Sequence, residues 1–305
     1  MKKLQLILAT VLIVSISGIY SCKKKDNQET VADDSSAQKE AAQDESMTQN
    51  ESNQSMDDAN NAMSSAGSIN GRTVGLFDAI CGGTVDKSDT ANKKITVTYD
   101  GTTLCNGRTR SGSITIQLTN GTHWKDAGAK ITVTFNSLKI TRNDGKYIVI
   151  TGTHIVENVN GGLVGVNETV VHNISGTITI TFEDNTTRSW TVSRKTTIKS
   201  TGTGLIKQRS VKIEGTGADG LVLYGTNRKG ESFSVKISTP IEANNLCGFN
   251  RPTAGVRTYA SDKRSFTLTF GLDDKGTAVT SGCATNFRVD WKNAQGVAQS
   301  ALLAY

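Results

Sequence analysis

Proline is nearly missing from this chain. Pro240 and Pro252 are the only two, against 30 glycines in 305 residues. Proline-rich linkers are thereby excluded, and turns fall to glycine paired with Asn or Asp. Histidine is almost as scarce: His123, His154 and His172 stand alone, with no HExxH or HxH spacing, and no two of the five cysteines form a CxxC. Nothing announces a zinc or other metal site, so neither metal nor cofactor is expected, and the three histidines read as solvated or strand-edge residues. GxSxG, the phosphate-binding Walker loop and the dinucleotide fingerprint are absent too, which removes the common hydrolase and nucleotide-binding signatures. Aromatic residues make up 6% of the chain and fall in the buried phase of the strand patterns below. Without exposed rings interleaved with clustered charge there is no case for nucleic acid as a partner.

Long apolar runs are lacking as well, with one exception at the start. Lys2 and Lys3 precede an uncharged stretch from Leu4 to Tyr20, the pattern of a secretory signal peptide over residues 1–21. The run is slightly short for a membrane-spanning helix. Ile19-Tyr20-Ser21-Cys22 resembles a bacterial lipobox, which implies a diacylglyceryl group on the Cys22 thiol and cleavage just before it. Tyr20 departs from the small residue usual at its position. Lys23 follows the cysteine where Asp would favour inner-membrane retention, so the resemblance implies an outer-membrane location, on either the periplasmic face or the cell surface. Ordinary cleavage after Ser15-Ile16-Ser17 is the rival.

Residues 22–66 read as a lipidated cysteine and a disordered polar tether. Lys23 to Ala66 carries four Lys, ten Asp or Glu, and no aromatic residue. Such composition buries too little apolar surface to offset its chain entropy. As a flexible coil it would reach ~35 Å. Within it, Ser55–Ala66 has the makings of a short helix with Ser55 as N-cap.

From Gly67 to Tyr305 the charge reverses to 28 Lys plus Arg against 18 Asp plus Glu. Period-two alternation dominates: Ile95, Val97 and Tyr99; Ile114, Ile116 and Leu118; Ile131, Val133 and Phe135; Ile178, Ile180 and Phe182; Phe233, Val235 and Ile237; Phe266, Leu268 and Phe270; Phe287, Val289 and Trp291. Each triplet marks one face of a half-buried strand. Further strands are expected over 146–156, 163–172, 189–198, 211–214 and 221–224. Asn106-Gly107, Asn120-Gly121, Asp144-Gly145 and Asp219-Gly220 are favoured type I′ pairs. The fold class expected for 67–305 is all-β, an antiparallel meander forming a sandwich or a strongly curled sheet. Ser111–Trp124 and Ser175–Trp190 resemble one another, as a duplicated hairpin would.

With Cys22 used for lipid, Cys81, Cys105, Cys247 and Cys283 remain, an even set suited to disulfides in an exported protein. Three connectivities are possible. Cys81–Cys105 and Cys247–Cys283 are preferred because each pair brackets a strand-rich segment and closes a short loop. Arg108 and Arg110 share one strand face and form a candidate site for a carboxylate or phosphate; the alternative is pairing with carboxylates on a neighbouring element. Glu183-Asp184 and Asp273-Asp274 sit in turn contexts and read as backbone caps, not an acid–base pair. Thr96, Thr98, Thr132, Thr134, Thr177 to Thr181, Thr267 and Thr269 fill the outward phase, as a wet strand face demands.

The layout resembles uncharacterised cell-envelope lipoproteins of Bacteroidota: the "SCKKKDN" lipidation site, the polar tether, "CGGTVD" followed by "KKITVTYDGTTLCNGRTRSG", and a second cysteine pair. The resemblance implies placement and no known reaction. The expected function is a lipid-anchored, non-catalytic binding or scaffold module. Its partners would be the membrane, through the anchor, and an envelope glycan (an anionic one suits the basic domain) or a protein. The alternative is a hydrolase with an unrecognised site. Oligomeric state is left open.

Overall fold

A computed structural model describes residues 27–70, 80–201 and 208–305. The signal peptide expected over 1–21 and the lipidation expected at Cys22 fall outside the described residues. The strands are β1 (Gly83–Asp86), β2 (Lys94–Asp100), β3 (Arg108–Asn120), β4 (Ala129–Arg142), β5 (Tyr147–Asn158), β6 (Thr169–Phe182), β7 (Thr187–Thr201), β8 (Gln208–Gly215), β9 (Leu221–Thr226), β10 (Ser232–Asn244), β11 (Ala254–Ser261), β12 (Ser265–Leu272), β13 (Asn286–Lys292) and β14 (Ala298–Ala304). All belong to one antiparallel sheet in chain order, a meander as the alternation predicts. The one departure is local. β8 and β9 share a single lane between β7 and β10, broken around Asp219-Gly220. The segment expected as a strand over 163–172 divides: 163–168 is loop, and β6 runs from Thr169 through Phe182.

Every residue of the seven apolar triplets is buried except Ile237, which is half-buried. Paired strands twist, and bulges add curvature. Register shifts fall between Ser111 and Ser113, between Phe135 and Leu138, and twice in β10. Glycine permits the shift at residue 112 and a close strand approach at 176. Gly112 adopts φ +91°, and a Cβ there would lie 2.4 Å from the Ser137 carbonyl oxygen; at Gly176 (φ +127°) it would lie 2.4 Å from that of Thr153. These two are the glycines of the sequence echo. Its tryptophans do not correspond, since Trp124 lies in the β3–β4 connection and Trp190 within β7. Of the four expected type I′ pairs, Asn106-Gly107 and Asp219-Gly220 have positive φ at both residues; at Asn120-Gly121 and Asp144-Gly145 only the glycine does.

The principal correction concerns the tether. Asn27–Ser64 forms α1, a helix of 38 residues, ~57 Å long at 1.5 Å per residue. Ser55 is in its interior, donating its hydroxyl to the Glu51 carbonyl. A short α2 (Gly67–Asn70) follows. From Asp44 to Ser64 no residue of α1 is exposed. The sheet curls around it: α1 meets β2 and β3 near one end of the strand order and β12 and β13 near the other. Ala42, Met56, Ala59, Ala62 and Met63 join the sheet's apolar residues in one core, so the boundary drawn at residue 67 on composition does not separate a tether from a domain. The physical reason lies in what the sheet offers. A chain this polar cannot fold on apolar burial alone, but it can where a partner supplies charges and hydrogen bonds.

Cys81–Cys105 and Cys247–Cys283 are at disulfide distance, with Cα separations of 6.0 and 5.3 Å. The two loops meet across the mouth of the curl, where a Cβ on Gly248 would lie 3.4 Å from Asn106 Nδ2.

Candidate functional site

The concave face of the sheet carries arginines in the same period-two phase as its apolar residues. Arg188, Trp190, Val192 and Arg194 alternate inward along β7; Arg209, on β8, and Arg257 with Tyr259, on β11, also point inward. Carboxylates on α1 answer most of them. Glu45 is fully buried and takes Arg188 on one oxygen and Arg257 on the other, the latter at 3.1 Å. Asp57 is forked by Arg209, which also reaches Asn61 Oδ1 at 2.6 Å. Asp58 accepts the Tyr99 hydroxyl at 2.7 Å. Burial raises the Asp58 carboxyl above its ordinary value against the pull of Arg110, and burial beside Asp58 pushes the Tyr99 hydroxyl well up. Near the hairpin ends Arg228 joins Asp44 at 3.2 Å and Asp184 at 2.6 Å.

Aromatic rings hold several guanidiniums in place. Arg188 lies 4.3 Å from the Phe233 ring centroid, Arg257 4.6 Å from Phe270 and Arg228 4.1 Å from Phe182. Desolvated cation–π contacts of this kind are worth about 2 kcal/mol.

Arg108 and Arg110 converge on one carboxylate, and it is internal: of the two readings, pairing with a neighbouring element is the one the structure shows. Glu51 of α1 receives Arg108 Nε and Arg110 Nη2. Burial lowers the Arg110 pKa, and Glu51 and Asp58 outweigh it, so the net shift is upward. The structure therefore places this pair in the helix-binding interior.

The histidines depart from expectation. Only His123 is near the surface, 3.6 Å from Asp126. His154 and His172 are 1% exposed, and burial drives their pKa values down to about 3 and about 4, with Arg194 adding to the effect on His154. They sit inside because an imidazole packs like an aromatic ring: His154 edge-on to Phe135, His172 tilted against Trp124. Among the described residues no group of three His, Cys, Asp or Glu is arranged to hold a metal ion.

The turn carboxylates cap backbone as their context suggests. Asp184 accepts from the Thr186 N–H and hydroxyl, which lower its pKa to about 2. Asp273 accepts from the N–H groups of Lys275 and Thr277.

An external groove of about 810 Å³ runs along the first residues of β12, the end of β13 and the start of β14. Phe266 and Trp291 form its apolar part, with Lys263, Lys292, Asp290, Gln299 and Ser300 around them and Gln38 of α1 at one side. Asp290 is its only carboxylate, and it already accepts from Arg288 Nε and the Ser300 hydroxyl, both at 2.9 Å. Trp291 Nε1 and Gln38 Oε1 are buried without a hydrogen-bond partner. The groove was missed in the sequence because Lys263, Trp291 and Gln38 are far apart along the chain. The interior arginines, by contrast, left a readable signal in "RSWTVSR" and "VRTY", where arginine occupies the apolar phase.

No protein family, no curated protein and no solved structure matches the chain.

Proposed function

We propose that this is a non-catalytic binding module of the cell envelope, lipid-anchored at Cys22 to the outer membrane, which takes up an anionic glycan in the groove between β12, β13 and β14. The observation that carries the reading is the groove's charge. Lys263 and Lys292 line the groove with a single carboxylate, Asp290, which Arg288 and Ser300 already hold; Lys263 also stands 3.9 Å from Glu231 just outside. Glycoside hydrolysis needs two carboxylates facing across the scissile bond, and the groove offers one. The amide and hydroxyl groups of Gln299 and Ser300 suit sugar hydroxyls.

The helix supports the proposed placement. Asn27 is five positions on from Cys22, a reach of ~17 Å when fully extended. Gln38 lies eleven residues further on, ~16 Å along the axis. A lipid on Cys22 would hold the groove close to the membrane and to the glycans that coat it.

Two measurements test this. Feeding cells an alkynyl fatty acid should label the protein and leave Cys22→Ser unlabelled; an unlabelled wild type removes the anchor. Titration of the whole chain with polygalacturonate should show salt-sensitive binding, weakened about tenfold or more in Lys263→Ala/Lys292→Ala, since each lost charged contact is worth ~1 kcal/mol or more. Binding that is absent, or indifferent to the double variant, overturns the glycan reading.

A further inference from the structure

Along α1 from Glu45 to Asn61, six arginines of the sheet (108, 110, 188, 194, 209 and 257) face four carboxylates: Glu45, Glu51, Asp57 and Asp58. Along this stretch the guanidiniums outnumber the carboxylates by two among the described residues; Asp44, one residue before it, is held by Arg228, and the buried Glu231 by Arg264. Buried charge is tolerated when it is matched and strongly penalised when it is not. The excess is most acute at Arg194. Its guanidinium is 4% exposed, and its side-chain partner is a neutral group, Asn53 Oδ1, at 2.7 Å. Burial and the nearby Arg257 bring its pKa down to about 10, with no carboxylate acting in the other direction.

Arg194 lines a cavity of about 30 Å³ between α1 and strands β6 to β8. A single water-sized guest needs ~10–15 Å³. Three polar atoms on residues lining this cavity have no hydrogen-bond partner: Arg194 Nε, Thr196 Oγ1 and His172 Nε2. All three can donate, the imidazole as its neutral Nε2–H tautomer. The one carboxylate on the wall, Asp57, is already forked by Arg209. The remaining wall is largely hydrocarbon, from Met56, Ile174, Ile198, Val211 and Ile213.

We propose that this cavity binds one small monovalent anion of the halide class, held by Arg194, Thr196 and His172. A cation with two further donors in an apolar shell suits an ion that sheds its water easily. A multiply charged oxyanion would need more donors and a larger desolvation penalty would oppose it. The anion offsets the Arg194 charge and satisfies the three orphaned donors together. The site is separate from the external groove and does not depend on the glycan reading.

The test compares the whole chain in chloride, bromide and gluconate at equal ionic strength. The thermal midpoint should rise with halide concentration and saturate, because a ligand that binds only the folded state stabilises it by mass action. Crystals grown in bromide should show anomalous density beside the Arg194 guanidinium. Thr196→Val should raise the half-saturating halide concentration about tenfold, the effect of losing one hydrogen bond to a charged group. Arg194→Met should abolish the halide response. If Arg194→Met does not fold, the wild-type salt comparison and Thr196→Val still decide. Equal midpoints in gluconate and halide, with no bromide at Arg194, would mean that the cavity holds water alone and would overturn the proposal. Bromide density only at surface lysines would do the same.

Discussion

The two faces of this one sheet are built on opposite terms. On the outer face Thr96, Thr115, Thr134, Thr153, Thr177 and Thr191 are direct register partners in turn from β2 to β7. Their hydroxyls lie on the wet side, with Thr177 and Thr191 bonded to each other at 2.9 Å and Thr115 accepting from Asn136. Any β-branched polar residue would serve there. On the inner face each arginine meets a particular atom of α1, out of water, where a missing partner is expensive. The outer row therefore tolerates change, and the inner row determines where the helix sits. Charge in the interior fixes helix register more tightly than methyl groups can, because a slip of one residue turns α1 by 100° and carries Glu45 away from Arg188 and Arg257.

The sharpest way to break that comparison is Glu45→Ala. It leaves two buried guanidiniums, Arg188 and Arg257, without their anion. A loss of about 3–5 kcal/mol is expected from breaking a buried pair on one side, read as a fall in the urea midpoint at unchanged m-value. A loss below 1 kcal/mol would mean that the interior charges do not order the helix.

Next in size are the disulfides at the mouth. Cys81–Cys105 closes a loop of sequence separation 24, and Cys247–Cys283 one of 36. Loop-closure entropy assigns each about 3–4 kcal/mol. Cys81→Ser/Cys105→Ser should lower stability by that amount in oxidising buffer and make no difference in strong reductant. Equal losses in both buffers would place the effect in packing instead.

How much of this could be read beforehand divides along the same line. The strand periodicity, the turn glycines and both cysteine pairings depend on neighbours a few residues apart or on parity, and they were legible. α1 was not. Its buried residues include Glu45, Ser46, Thr48, Asn50, Glu51 and Asn53, so no apolar stripe marked a helix face and composition alone indicated disorder. What makes this segment fold is not within it but on Arg188, Arg257, Arg108 and Arg110, the nearest of them 44 positions beyond its end. The clue lay in the sheet, where arginine takes inward positions beside Trp190 and Tyr259 and so requires anions from elsewhere. Arg108 and Arg110 were correctly placed on one face; the chain's own Glu51 was the anion they were waiting for.

A pH series sharpens the inner side of the comparison. An unfolded imidazole takes up a proton as pH falls through ~6.5, whereas His154 and His172 stay neutral in the fold until about 3 and about 4. The unfolded state then binds more protons, so stability is lost on acidification from pH 6.5 toward 4. Each histidine contributes a slope of at most ~1.4 kcal/mol per pH unit. Asp44 acts in the opposite sense, because burial raises its pKa to about 6 despite Arg228, so below that pH the folded state holds a proton the unfolded chain lacks. His154→Leu should flatten the acid limb and Asp44→Asn should steepen it. A limb unchanged by His154→Leu would show that the imidazole is charged in the fold.

The smallest effect belongs to the outer row. Thr177→Ala removes one hydroxyl contact to Thr191 on a surface that water can reach, and substitutions away from buried features usually change stability by about 0.5 kcal/mol or less. The same change made at Thr196, an inward residue of β7 that is 7% exposed, should be felt more, since it enlarges a cavity in a buried wall it shares with Ile174, Ile198 and Ile213. Two threonines on adjacent strands, one on each face, thus measure the difference between the faces directly. Equal effects at both would mean that the inner surface is as well hydrated as the outer, and the arginine–carboxylate contacts would then lose their hold on the helix.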